Sequence, residues 1–402
     1  MENMIKLTFV GDVMCKSQMI AEYTLANDKN YNFDSIFEDV KDLINDSDFS
    51  FANLETPISL NDSDLSSEKY CFNSPIEFAK AVKNAGFDFV ATANNHCLDR
   101  GISGISSTIN ALKSVGLINT GVFDSKDDIK PTVVDVKGCK IGIMSYTYGT
   151  NAFSNHKYLP FKDYWRVNLF QNQELSNPIS RIIERRKGGR IYRIIHKIMS
   201  VLNLPNANCM VYERKEFSLR CKFNLLKNIK KLKQQNPDLI VMYMHAGGQY
   251  NSKETKETIK LSNYLMNHGI NVVVGSHEHV VHGSDISQIK NNKIATYSLG
   301  NFLGVSGVYQ EPFDKMSEYS IAWHVYVDTS TKNINKSTYS IVKTVGEHGE
   351  NFKLKTVPID ILYGRLNDND KIELFNEAKL IAKKFCNQDI TSLGIKREYE
   401  FT

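Results

Sequence analysis

A plan of helix, glycine or proline stop, apolar strand and polar loop recurs along this chain, and it narrows the possible folds more than any other feature. "SPIEFAKAVKNAGFDFVATANNH" (74–96) has helical apolar spacing, stops at Gly86, and runs through a short β-rich stretch into Asn94, Asn95 and His96. Ser74 stands where it could cap that helix, with Pro75 at the first helical position and Glu77 completing a capping box. "FNLLKNIKKLKQQNPDLIVMYMHAGG" (223–248) repeats the plan and ends at His245. "KETIKLSNYLMNHGINVVVGSHEH" (256–279) does so again, with Gly269 as the stop and His277 and His279 after the strand. Nearer the start, "KLTFVGD" delivers Asp12, and "DFSFANLE" delivers Asn53 and Glu55. Strands apolar on both faces belong inside an α/β fold, where function gathers beyond their carboxyl ends.

Further strands are expected at 139–148, at 293–303 and at 320–328. A terminal amphipathic helix is expected after about residue 366, with Leu374, Phe375, Ala378, Ile381, Ala382 and Phe385 on its apolar side. The pattern breaks between 151 and 218. We therefore expect one domain, its first half in 1–150 and its second in 219–345, with an inserted segment at 151–218 and an extension at 346–402.

A net charge of +4 on 402 residues is too small to imply nucleic acid. Seven scattered cysteines with no CxxC argue against a disulfide framework or a thiolate metal site. With no signal peptide or apolar span visible, the expectation is a cytoplasmic chain, at most peripheral to the inner membrane surface.

Each polar strand end has an ordinary reading by itself. Asp12 and Asn94-Asn95 suit turns, and a single histidine after an apolar run suits a satisfied core position. Together they place carboxylate, amide and imidazole donors on one rim, a set suited to one or two divalent ions of Mn, Fe, Zn or Mg. A two-ion site of this kind serves phosphoryl chemistry.

Six motifs, "TFVGDVM", "FANLETPIS", "ATANNHCLDRG", "MHAGGQY", "GSHEHVVHG" and "YSLGNFL", occur in the order and approximate spacing of the CapA family of poly-γ-glutamate capsule synthesis. That family resembles a divergent branch of the calcineurin-like metallophosphoesterases. The resemblance implies a four-layer α/β/β/α sandwich with metals at one edge. It makes Asp12 and His279 similar to ligands of a first ion, Asn95, His245 and His277 similar to ligands of a second, and Glu55 similar to the carboxylate bridging both. His96 resembles the general acid, oriented by Asp99. Asn53, Asn94, Gln249 and Asn301 are candidates for contacts to substrate or to the ligands.

The chain also departs from these patterns. Met14 stands where ordinary metallophosphoesterases have a histidine ligand. Ala246 and Gln249 replace an aromatic residue and a carboxylate of the CapA pattern. Glu278 and His282 replace a proline and a glutamine, which implies a less rigid loop.

In the 151–218 segment, Arg185, Arg186, Lys187 and Arg190 are interleaved with isoleucines. A basic amphipathic helix of this kind can lie on an anionic membrane or grip a polyanion, and equally can be a solvated helix over the core. The expected function is metal-dependent hydrolysis, foremost of a phosphoester, in making an envelope polymer from its precursor. Two alternatives stay open: a non-catalytic polymer-binding or export protein, and a metal-dependent hydrolase of γ-linked amides. The oligomeric state is not readable from the sequence.

Overall fold

The computed structural model describes residues 3–25, 31–61, 64–66, 71–171, 173, 219–304, 316–347 and 353–401. Arg185, Arg186, Lys187 and Arg190 lie outside them. Two sheets carry the architecture. The first has nine strands; its main path runs Lys353–Pro358, Ile334–Glu347, Tyr319–Asp328, Met4–Val13, Phe49–Leu54, Phe89–Ala91, Ile118–Thr120. Asn301–Leu303 also pairs with Met4–Val13, and Tyr399–Glu400 with Ile334–Glu347. The second has six strands, in the order Ser284–Asp285, Ile294–Thr296, Val272–Ser276, Leu239–His245, Cys139–Thr147, Thr132–Val136.

Strand alternation explains why the sheets stack. Ile5, Leu7 and Phe9 from the first sheet meet Val241, Tyr243, Val272 and Val274 from the second in one buried cluster. The intervening residues face outward under helices. Val10, Ala52 and Val90 pack on Phe78 and Val82 of helix Ile76–Asn84 and on Ala111 and Leu112 of helix Gly101–Ser114. Ile240, Met242 and Met244 pack on Leu225, Ile229 and Leu232 of helix Leu219–Lys233 and on Leu265 and Met266 of helix Lys256–Asn267. The result is four layers, helix, sheet, sheet, helix, as expected. Each large apolar side chain buried in these layers contributes about 2 kcal/mol. The terminal helix, Asp368–Cys386, buries Leu374, Ala378, Ile381, Ala382 and Phe385 and sets Phe385 edge to face with Tyr339 of the first sheet, 5.3 Å between centroids.

Two local expectations need correction. Ser74 does not cap the first helix: it pairs in extended conformation with Ile58, and its Oγ lies 2.7 Å from Thr56 Oγ1. The helix begins at Ile76 with Pro75 as its cap residue, and Glu77 accepts from Lys80 instead of closing a capping box. A residue before proline is biased to extended backbone, which helical spacing alone does not report. The second correction concerns 293–303, which is two strands: Ile294–Thr296 belongs to the second sheet and Asn301–Leu303 to the first. Gly300, at φ 76°, lies within the crossing.

On the outer face of the first sheet, His324 lies 2.8 Å from Thr8 Oγ1 and 3.0 Å from Ser340 Oγ. Burial, reinforced by the Lys6 charge, pushes its imidazole down from 6.5 to about 3. The unfolded chain binds a proton in that window and the fold does not. Stability is therefore full above the ordinary histidine value and falls as pH drops through it, by about 2 kcal/mol near pH 5 from this group. His324→Gln is expected to shrink the difference between urea midpoints measured near pH 7 and near pH 5; an unchanged difference would refute this origin.

Candidate metal centre

At the carboxyl rim, two rows of side chains face one another. In the first sheet Asp12 stands in register between Asn53 and Asn301. In the second, His245 stands between Thr147 and Ser276. The pairing register slips between Phe9 and Asp12, a bulge that releases Asp12 from strict alternation. Gly11 is required at the slip, because a Cβ there would lie 1.9 Å from the Gly300 carbonyl oxygen. Glu55 follows directly on the strand Phe49–Leu54, its N–H donating to Val13 O at 3.0 Å.

Hydrogen bonds join the rows. Asn53 Nδ2 donates to Asp12 Oδ1 at 2.7 Å and lies 3.3 Å from His245 Nδ1. The backbone N–H of His277 donates to Asp12 Oδ2 at 3.1 Å. His277 and His279 have φ of 97° and 60°, conformations that cost a side-chain-bearing residue about 1–3 kcal/mol each. With that backbone the loop brings the His277 ring 4.7 Å from His245 and 6.0 Å from His279, centroid to centroid.

Two donor clusters result: Glu55 with His245 and His277, and Asp12 with Glu55 and His279. In each, one ligand atom per residue lies within 4.8 Å of the others, and Glu55 belongs to both. Asn95 Oδ1 is 2.8 Å from His245 Nε2. All of these side chains are buried.

The buried donors fit a cation. Neither Glu55 carboxylate oxygen and neither His277 ring nitrogen has a hydrogen-bond partner. Buried polar groups are rarely left so, and an uncompensated buried charge costs several kcal/mol. Burial, then the Asp12 charge, pushes the Glu55 carboxyl well above its usual range. Burial, then neighbouring imidazoles, holds His245 and His277 well below theirs. Divalent ions would neutralise the carboxylates and use the imidazole lone pairs, meeting each of these deficits. Carboxylate, imidazole and amide oxygen without thiolate suit Mn, Fe, Zn or Mg.

His96 lies beside the clusters. Its Nδ1 is 2.7 Å from Asp99 Oδ2. Asp99 also accepts from the Phe72 N–H at 2.7 Å and from Asn155 Nδ2 at 3.0 Å, which fixes its carboxylate. The Phe72 ring stacks on His96 at 4.1 Å. Asn94 holds the turn: it accepts from His96 N at 3.1 Å and donates to Leu54 O at 2.7 Å. Asn301 Oδ1 is 2.9 Å from His279 Nδ1, and Gln249 Nε2 is 3.2 Å from His279 Nε2. Asn53, Asn95, Gln249 and Asn301 thus touch members of the donor clusters, while His96 and Asp99 connect to them through Asn94, whose Nδ2 donates to Asn53 Oδ1 at 3.4 Å.

The loop expected to be less rigid is held by the replacements themselves. Glu278 is fully buried, its Oε2 3.0 Å from His282 Nδ1, and its backbone oxygen accepts from Tyr250 N at 2.9 Å. Burial is the largest single influence and lowers the His282 imidazole, but the charge and hydrogen bond of Glu278, together with the hydrogen bond to the Asn251 carbonyl, outweigh it and raise the imidazole above its ordinary value.

Sequence reasoning did not single out Phe72, Ser276 or Tyr148. Ser276 Oγ is 3.0 Å from His245 Nδ1, and the Tyr148 ring is 4.6 Å from that of His277. Ser276 was visible inside "GSHEH"; Phe72 lies in an irregular loop whose residues carry no periodic signal.

A four-layer sandwich with buried carboxylate and imidazole clusters where its two sheets meet defines a candidate divalent-metal protein. Its residues 6–306 match the family described as "Bacterial capsule synthesis protein PGA_cap". The chain belongs to that bacterial capsule synthesis family. It is 26% identical over 306 residues to "Capsule biosynthesis protein CapA" of Bacillus anthracis, covering 74% of this chain and 59% of that one. It is 22% identical over 306 residues to "PGA biosynthesis protein CapA" of Bacillus subtilis (strain 168), covering 75% and 64%. The chain thus spans less than two thirds of the length of these curated relatives. Among solved structures it is similar to a phosphatase of Mycoplasma pneumoniae, with TM-score 0.42, 14% identity, and 85% and 94% of the two chains covered. It is also similar to calcineurin-like phosphoesterase YfkN of Bacillus subtilis, with TM-score 0.39, 9% identity, and 94% and 97% covered. No helix among the described residues is long and apolar enough to cross a membrane, and no disulfide joins the six cysteines among them.

Proposed function

We propose that this chain is a metal-dependent hydrolase that cleaves a phosphoester in the making of a bacterial capsule polymer from its precursor. The observation that carries the reading is the fully buried Glu55 carboxylate, shared by two donor clusters and without a hydrogen-bond partner. Asp12, Glu55 and His279 would hold one ion; Glu55, His245, His277 and Asn95 would hold the other. Bound divalent ions supply Lewis-acid polarisation of a phosphoryl oxygen and activation of water.

The chain's own residues do the rest. Asp99 accepts a hydrogen bond from His96 Nδ1–H and so keeps the imidazole in one tautomer and orientation. Protonated His96 delivers a proton from Nε2 to the departing oxygen, while Phe72 keeps its ring from turning. Asn53 anchors Asp12 and touches His245, which sets the spacing of the two donor rows.

The test begins with elemental analysis of protein purified without chelator, followed by a hydrolysis survey over chromogenic phosphoesters and poly-γ-glutamate with added Mn. One or two ions per chain and chelator-sensitive phosphoester turnover are expected. Ions with no turnover on any substrate would replace the reading with a polymer-binding protein, and turnover confined to poly-γ-glutamate would replace it with an amide hydrolase. A chain that binds no divalent ion would end it.

A further inference from the structure

The two clusters are unequally furnished. Glu55, His245 and His277 have the Asn95 amide oxygen beside them, a fourth donor 2.8 Å from His245 Nε2. Among the described residues, the other cluster has three donors of the usual kinds, Asp12, Glu55 and His279. We propose that Gln249 is the fourth ligand of this centre, its side-chain oxygen turning onto the ion held by Asp12, Glu55 and His279. The inference rests on the two-ion reading and adds a ligand to it.

The tautomer of His279 supports this. Asn301 Nδ2 donates to the Ser317 carbonyl at 3.3 Å, so its Oδ1 is the atom offered to His279 Nδ1, 2.9 Å away. A neutral His279 therefore carries its proton on Nδ1 and its lone pair on Nε2. That lone pair faces the space shared with Glu55 Oε1, at 3.9 Å, and Gln249 Nε2, at 3.2 Å. Without an ion, the Gln249 amide donates into the lone pair. An ion that takes the lone pair leaves no acceptor for that N–H, and a half-turn of the amide puts the carbonyl oxygen where the nitrogen had been. The exchange needs no movement of backbone.

The turn bearing Gln249 is also held in place. Tyr250 N donates to Glu278 O at 2.9 Å, and a Cβ on Gly247, at φ 122°, would lie 2.0 Å from Glu278 Oε1. Glu278 thus packs against the backbone of the 247–250 turn and fixes the distance from Gln249 to His279. An amide oxygen is a hard donor, so this centre is richer in oxygen and the other richer in nitrogen.

Titration of chelator-treated protein with Mn by calorimetry, and the visible spectrum of the Co-loaded protein, give two readouts that do not depend on turnover. Wild type is expected to bind two ions. Gln249→Ala should weaken one of them by about tenfold or more and change the Co spectrum, while the other keeps its affinity. Gln249→Glu should restore or exceed wild-type affinity, which excludes misfolding as the cause in the alanine variant. Two ions bound by Gln249→Ala with wild-type affinities and an unchanged Co spectrum would overturn the role of Gln249 alone. A wild type that binds no ion would overturn both this role and the two-ion reading.

Discussion

Glu55→Gln is expected to abolish the stabilisation of this protein by divalent ions and, in the same molecule, to raise the melting temperature of the metal-free form. The two effects share a cause. Glu55 is the donor common to both clusters, so its loss should reduce ion affinity by more than about a hundredfold, beyond the 10–100-fold that loss of an outer partner alone causes. Wild type in ion a hundredfold above its dissociation constant gains about 2.7 kcal/mol, and the variant should gain almost none. Without ions, however, Glu55 is a carboxyl group buried against Asp12 with no hydrogen-bond donor supplied to it. The neutral amide removes the like-charge conflict and can donate to Asp12. The metal-free variant should be more stable by about 1–3 kcal/mol. Differential scanning calorimetry with and without Mn reads both effects. A variant less stable than wild type in the absence of ions would show that the buried carboxylate is not under strain.

His96→Ala is the second large expectation. Loss of a positioned proton donor costs about 10²–10⁴ in rate, so phosphoester turnover should fall by that factor while both ions stay bound. His96 touches Asp99 and Phe72 and contributes to neither donor cluster. Substrates whose leaving group needs no protonation, such as nitrophenolate, should be affected least. Comparing a nitrophenyl ester with an alkyl ester separates a proton donor from a purely structural ring, for which both would fall equally. Asp99→Asn should reproduce the same substrate dependence more weakly, since the amide still restrains His96 but no longer favours the required tautomer.

Much of the frame was legible because alternation and stop signals are local. Ile5, Leu7 and Phe9 announce a two-faced strand, and Gly86 and Gly269 end helices where they should. The meeting of Asp12, Glu55, His245, His277 and His279 was legible for a different reason: each stands at or just beyond the carboxyl end of a parallel strand, Asp12 and Glu55 in the first sheet and the three histidines in the second, and the two rims face one another. Ser74 reads as a helix cap because its partner, Thr56, is eighteen residues away and invisible to a window that sees only the next turn. The break in 293–303 was hidden because "KIATYSLGNFL" is uniformly strand-like, while the change of sheet depends on what stands on either side in space. By sequence Glu278 reads as the loss of a stiff proline; its effect comes from a buried side chain packed against the 247–250 turn, which composition does not reveal.

The change of sheet at Tyr297–Gly300 also bears on the order of events during biogenesis. The chain lays down part of the first sheet, leaves it for the second, and returns through Asn301, the residue that orients His279. Asp12 and the His277 amide are 265 positions apart, and closing so long a loop is slow compared with local pairing. An emerging polypeptide therefore carries no competent ion trap until most of it has left the ribosome. If the clusters hold ions as proposed, metal uptake would mark molecules that have matured fully, and half-made ones would not sequester scarce cations.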